Sequence, residues 1–232
     1  MGKVILVGAG PGDKELITVK GLKAIKEADV IVYDDLIDKD LLNYNKNAEL
    51  IYVGKRKGRH SYKQEDINKI LIEKAKEGKT VVRLKGGDPF IFGRGGEEIL
   101  ALKEHNIPYE IIPGLSSATA LPALAEIPLT HRKVARSFTV LTAHIEDGEV
   151  DFTKFNGDTL VILMGITKLK KIVNDLLKVR DKKTPIAIIL KGATKEQKVI
   201  RGTLEDILDK AKNIEPPGII VVGEVVNILQ KN

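Results

Sequence analysis

The sequence predicts an α/β fold made of two α/β domains, the first around a largely parallel sheet and the second around a mixed one. Three observations carry this. Strand-sized apolar runs alternate with stretches of helical period along all 232 residues. The runs are continuous rather than alternately apolar and polar, as in parallel strands covered on both faces. Pro113-Gly114 then interrupts the pattern near its middle. Setting the boundary there gives domains of residues 1–113 and 114–232, each near the usual domain size.

In the first domain, Val4-Ile5-Leu6-Val7, Val30-Ile31-Val32-Tyr33, Leu50-Ile51-Tyr52-Val53, Val81-Val82-Arg83-Leu84 and Glu110-Ile111-Ile112 read as strands. Ser61 and Gln64 have the capping-box spacing ahead of a helical face of Ile67, Ile70, Leu71 and Ala75. Glu97-Glu98 before Ile99, Leu100 and Leu102 reads as the start of a helix, where carboxylates suit the positive end of the dipole. A helix from Ser116 to Leu124 opens the second domain. Its strands are Phe138-Thr139-Val140-Leu141, Thr159 to Leu163, Ile186 to Leu190, Lys198-Val199-Ile200 and Ile219 to Val222. Leu169, Ile172, Val173, Leu176 and Leu177 form one helical stripe, and Thr203 is expected to cap a further helix bearing Leu204, Ile207, Leu208 and Ala211. Gln197 to Gly202 resembles one arm of an antiparallel pair, which makes the second sheet mixed.

Composition removes several function classes. Hydrophobic residues at 43% and charged residues at 30% suit a globular protein. No apolar run approaches the roughly 20 residues of a membrane span. Met1-Gly2-Lys3 passes straight into a strand, so a cytoplasmic location without a membrane partner is expected. Zero cysteine excludes disulfides, thiolate metal sites and a cysteine nucleophile, and four histidines without ligand spacing give no metal site. The net charge of +6 raises nucleic acid as a partner, but basic residues interleave with acids, aromatics are 4% and there is no Trp, so none is expected. The exception is Lys55-Arg56-Lys57-Gly58-Arg59-His60, which is either solvated surface or a patch for a polyanionic substrate.

The richest segment is Lys85-Gly86-Gly87-Asp88-Pro89-Phe90-Ile91-Phe92-Gly93-Arg94-Gly95-Gly96-Glu97-Glu98. It is longer than a strand-to-helix connection needs. Its glycines let a ligand approach the backbone where open α/β sheets bind ligands, beyond the strand ends. A second glycine loop, Gly8-Ala9-Gly10-Pro11-Gly12, follows the first strand. It lacks the dinucleotide spacing G-x-G-x-x-G: Asp13 stands at the third glycine position, and Pro11 removes an N–H that would cradle a pyrophosphate. Asp34 lies where a ribose-binding acid would, but the loop favours a cofactor without phosphate. Asp34 and Asp35 equally suit a cap at a strand exit.

These segments, together with Val32-Tyr33-Asp34, Val53-Gly54-Lys55-Arg56, Pro113-Gly114-Leu115-Ser116-Ser117, Ile127-Pro128-Leu129-Thr130-His131-Arg132 and Met164-Gly165, resemble the tetrapyrrole (class III) S-adenosylmethionine-dependent methyltransferases over nearly the whole chain. The resemblance implies two domains with the active site in the cleft between them, the first carrying the glycine loops and the substrate side and the second completing the cofactor site. It implies a cytoplasmic homodimer that moves methyl groups from S-adenosyl-L-methionine to uroporphyrinogen III, twice, by way of precorrin-1 to precorrin-2, leaving S-adenosyl-L-homocysteine. In that pattern Asp34 is the proton acceptor and Lys55 the proton donor. Pro11, Gly86, Gly87, Asp88, Ile91, Ser116, Ser117, Met164 and Gly192 bind the cofactor, with Ser116-Ser117 standing where relatives often carry Thr-Ala. Arg56, Arg59, Arg83 and Arg132 are candidates for the substrate carboxylates. Rival readings are a methyltransferase of the same fold for a later corrin intermediate or for diphthamide, and a nucleotide-binding module needing only the glycine loops.

Overall fold

A computed structural model describes residues 1–54 and 62–230. The first unit, Met1–Ser116, contains β1 (Lys3–Gly8), α1 (Val19–Glu27), β2 (Val30–Tyr33), β3 (Glu49–Tyr52), α2 (Gln64–Lys76), β4 (Thr80–Lys85), α3 (Gly95–Glu104) and β5 (Tyr109–Ile112). All of its strand pairs are parallel, in the order β3-β2-β4-β1-β5. Neighbouring residues of each strand point to opposite faces, and both faces are covered. Val4, Leu6, Val32 and Val81 pack with Ile67 and Leu71 of α2 and Ile99 and Leu102 of α3. Ile5, Val7, Ile31, Val82 and Leu84 pack with Ala24 and Ile25 of α1 and with Leu41. Two-sided burial is why these strands read as unbroken apolar runs.

The second unit begins at Ser117 and contains α4 (Ser117–Leu124), β6 (Phe138–Thr142), β7 (Thr159–Leu163), α5 (Leu169–Leu176), β8 (Pro185–Leu190), β9 (Lys198–Thr203), α6 (Ile207–Lys210) and β10 (Gly218–Val222). Its sheet is mixed, in the order β6-β7-β10-β8-β9: β6 and β7 are parallel, whereas β10 runs against β7 and β8, and β9 against β8. One face packs Leu160, Ile162, Ile188 and Ile220 against Leu169, Ile172, Val173 and Leu176 of α5. The other packs Val161, Leu163, Ile189 and Val221 against Ala118 and Leu121 of α4.

Two local expectations change. The contact boundary falls after Ser116 rather than Pro113, because the Pro113-Gly114 turn is packed into the first unit through Gly8 and Gly87. Thr203 is the last residue of β9, where its N–H donates to Asp206 Oδ1 at 2.7 Å, so helix α6 starts only at Ile207. Strand pairing with Pro185 has won over the cap. Ser61 of the expected capping box lies outside the described residues, and the N–H at the head of α2, that of Lys63, is taken by Asp66 at 3.1 Å. Among the described residues no helix is long and apolar enough to cross a membrane.

Asp175 of α5 ties that helix to the loop before β7. Its carboxylate accepts from Lys171 at 2.8 Å, Lys178 at 2.9 Å and the Phe152 N–H. The two lysines, chiefly, hold its pKa down to about 2, against an ordinary 3.8. A lowered carboxylate pKa adds stability above the unfolded value and loses it as pH falls through the folded one. Asp175→Asn is therefore expected to melt below the parent at pH 7, with the difference closing between about pH 4 and pH 2. Thermal unfolding across that range measures it, and a difference independent of pH contradicts it.

Candidate functional site

Strands β4, β1 and β5 lie side by side and run in one direction, so their exits meet at one edge of the sheet. The exits come together main chain to main chain. A Cβ on Gly8 would stand 2.5 Å from Gly114 N and 2.7 Å from the Gly87 carbonyl, and one on Gly114 would meet that same carbonyl. Gly10 and Gly87 exchange both backbone hydrogen bonds, at 2.7 and 3.2 Å. Gly87 holds φ at +67°, which side chains rarely adopt. Asp88 fastens the arrangement: one carboxylate oxygen accepts from the Phe90 N–H at 2.8 Å, the other from the Gly114 N–H at 3.1 Å. Gly86 packs on Leu36, beyond the exit of β2. Four strand exits thus share one edge lined with main-chain groups.

Beside the glycines lies a buried ionic cluster. Val81, Arg83 and Lys85 alternate on the face of β4 that α2 and α3 cover, and Glu98 reaches down from the first turn of α3. The side chains of Arg83, Lys85 and Glu98 are only 4%, 6% and 0% exposed. Glu98 Oε1 accepts from Arg83 Nε and Lys85 Nζ, both at 3.0 Å, and from Gln64 at 3.4 Å. Arg83 Nη1 donates to the carbonyls of Leu84 and Val32, and Nη2 to Asp34 Oδ2 at 3.2 Å. Burial, then the neighbouring Arg83 charge, lowers the Lys85 pKa despite the opposing pull of Glu98. Asp34, 27% exposed, is where the cluster reaches solvent, and its Oδ1 accepts from the Leu36 N–H at 3.1 Å. Asp35, its neighbour, instead accepts from the Tyr52 hydroxyl at 2.6 Å.

This corrects one expectation. Arg83 does not offer its guanidinium to a ligand carboxylate: it is buried, and each nitrogen has a partner inside the protein. Sequence reasoning also missed Glu98 and Lys85. The available signal was a lysine two residues after an arginine in an otherwise apolar buried strand, which puts two cations on one covered face. Lys55, Arg56 and Arg59 lie outside the described residues.

The other candidates are placed as follows. Pro11 is half-buried in the loop after β1, Ile91 is exposed in the long loop after β4, and Ser116 is buried at the end of the first unit. In the second unit Ser117 begins α4. Met164, directly after β7, is exposed with φ at +55° rather than packed in the core. Gly192 follows β8, and a Cβ there would meet the Leu121 side chain of α4 at 2.5 Å. Since β10 lies between β7 and β8 and opposes both, Met164 and Gly192 sit at the same sheet edge, about 10 Å apart by strand spacing. Arg132 is exposed within the turn closed by the His131–Ala135 bridge.

Comparison with known proteins gives a consistent result. The model of the tetrapyrrole (corrin/porphyrin) methylases matches residues 3–208. The uroporphyrinogen-III C-methyltransferase of Methanocaldococcus jannaschii is 70% identical, covering 98% of each chain. That of Priestia megaterium is 51% identical over 98% of this chain and 99% of its own. The solved uroporphyrin-III C-methyltransferase of Thermus thermophilus in complex with S-adenosyl homocysteine superposes with a TM-score of 0.86 at 40% identity, covering 98% of this chain and all of the other.

The glycine contacts yield a paired prediction. Gly114→Ala brings a Cβ within 2.3 Å of the Gly87 carbonyl, a backbone atom that no rotamer change can move. Overpacking of this kind costs about 1–3 kcal/mol. Gly96, in α3, has open space around it, so Gly96→Ala is expected to stabilise by about 0.5–1 kcal/mol through helix propensity. Chemical denaturation measures both, and equal effects contradict the backbone contact.

Proposed function

Because the chain belongs to the tetrapyrrole (corrin/porphyrin) methylases, we propose that it methylates uroporphyrinogen III twice, through precorrin-1 to precorrin-2, the precursor of cobalamin and sirohaem. The observation that carries this reading is the full-length likeness to relatives of that activity. S-adenosyl-L-methionine is the methyl donor; bound, it supplies a methyl group activated by a sulfonium. The residues present fit such a molecule. The strand exits offer main-chain groups that a Cβ would cover, with apolar side chains nearby and no phosphate-binding spacing. On this reading Pro11, Gly86, Gly87, Asp88, Ile91, Ser116, Ser117, Met164 and Gly192 bind the donor. Asp88 acts chiefly by holding the loops of Gly87 and Gly114 together.

The chemistry assigns Asp34 its part. When a pyrrole carbon gains a methyl group, the ring system acquires a positive charge and must then lose a proton. A carboxylate beside it stabilises that charge and accepts the proton. Asp34 is the carboxylate at the exit of β2, partly exposed and held on both oxygens. Lys55 is the proton donor and, with Arg56, Arg59 and Arg132, supplies positive charge for the substrate carboxylates. The working protein is a cytoplasmic homodimer, as the family resemblance implies.

The direct test is incubation with S-adenosyl-L-methionine and uroporphyrinogen III, which is expected to give an absorbing product heavier by two CH2 units, each methyl group having replaced one proton. No mass gain contradicts the reading. Asp34→Asn keeps the shape and removes the charge, and is expected to cut kcat by on the order of 10²-fold while leaving S-adenosyl-L-homocysteine affinity nearly unchanged. Weakened cofactor binding with full kcat at saturation marks Asp34 as a ribose ligand instead.

A further inference from the structure

The buried cluster is poorly built for stability alone. Replacing buried ion pairs with apolar residues is often neutral or stabilising, because desolvation offsets the attraction. Here two cations converge on one oxygen of Glu98, while its other oxygen, equally buried, has no hydrogen-bond partner among the described residues. What the cluster achieves is directional. Four hydrogen bonds fix the Arg83 guanidinium: Nε on Glu98, Nη1 on two carbonyls, and Nη2 on the one acceptor that solvent and substrate can reach, Asp34 Oδ2. The opposite edge of the Asp34 carboxylate is held by the Leu36 N–H. The carboxylate therefore cannot swing away without breaking a charge-assisted bond to a group that itself has no freedom to follow.

We propose that Arg83, anchored by Glu98, is a positioning residue that holds the Asp34 carboxylate in the orientation from which it takes the substrate proton. This rests on the assignment of Asp34 as the proton acceptor. In the step concerned, the methyl group bonds to a pyrrole carbon while the sulfur keeps the electron pair of the broken bond. The cationic ring then loses one proton, which Asp34 takes up. Arg83 touches neither reactant. Its effect is confined to the geometry and charge of the acceptor, and this separates it from the arginines that meet substrate carboxylates.

A double-mutant cycle tests the inference on the full chain with Asp34→Asn, Arg83→Gln and the double variant. Each is measured for kcat at saturation, S-adenosyl-L-homocysteine affinity by calorimetry, and melting temperature. Arg83→Gln is expected to lower kcat by about 10–10²-fold with affinity within about threefold of the parent. The double variant is expected to be no slower than Asp34→Asn by more than a few-fold, because two residues acting as one unit are not additive. Where Arg83→Gln does not fold, Arg83→Lys carries the same cycle: a single Nζ cannot bridge Glu98 and Asp34 together, so kcat falls although charge is kept. Parent kcat in the folded Arg83 variant, or losses that multiply in the double variant, overturns the inference. Parent kcat in Asp34→Asn alone overturns the assignment of Asp34 as well, and so tells the two failures apart.

Discussion

The exits of β4, β1 and β5 touch through their backbones, and the rest of the site depends on that contact. Parallel neighbours have their ends about 5 Å apart, too close for side chains to fit between loops that leave in the same direction. Gly8 and Gly114 remove the obstacle, and the paired hydrogen bonds of Gly10 and Gly87 lock the first loop to the second. Asp88 completes the closure by accepting from the third loop. The result is a sheet edge whose lining is main chain, able to donate and accept hydrogen bonds without carrying charge. That chemistry suits an amino acid and a ribose better than a pyrophosphate, and it agrees with the family to which the chain belongs.

Charge is supplied a few ångströms away and under different control. The face of β4 changes from apolar to ionic as the strand approaches its exit, from Val81 to Arg83 to Lys85. The helix that covers it carries two glutamates in its first turn, of which Glu97 pairs with Arg94 at the surface while Glu98 turns inward. One strand thus provides both features: its last residues a fixed electrostatic framework behind Asp34, and the loop after it a cradle of main-chain groups. The two functions are adjacent in sequence because a strand end is where burial gives way to access.

Most of the architecture was legible because burial on both faces writes itself as continuous apolar runs. The strands of both units begin and end within a residue of such runs, except β9, which continues three residues past Ile200. The antiparallel arm at β9 was readable from Gln197 to Gly202, a short polar-flanked segment that pairs with the unbroken Ile186 to Leu190. Thr203 misled because a hydroxyl ahead of an apolar run has the same signature whether it caps a helix or ends a strand. Arg83 misled for a related reason: the type of a side chain states what it can bind, and only packing states which way it faces. Glu98 was hidden by a sufficient local explanation, since a glutamate in the first turn of a helix needs no buried cation to account for it. The density of glycines was legible, but that Gly8 and Gly114 serve loop-to-loop contact is a property of three distant segments.

Amide hydrogen exchange with and without saturating S-adenosyl-L-homocysteine tests whether the glycine-lined strand exits hold the methyl donor through their main chain. Slowed exchange is expected to concentrate in residues 86–91, with further slowing around Ser116-Ser117, Met164 and Gly192 and little change in α2 or α5. Binding that leaves residues 86–91 exchanging as in the free protein, with protection elsewhere, contradicts it.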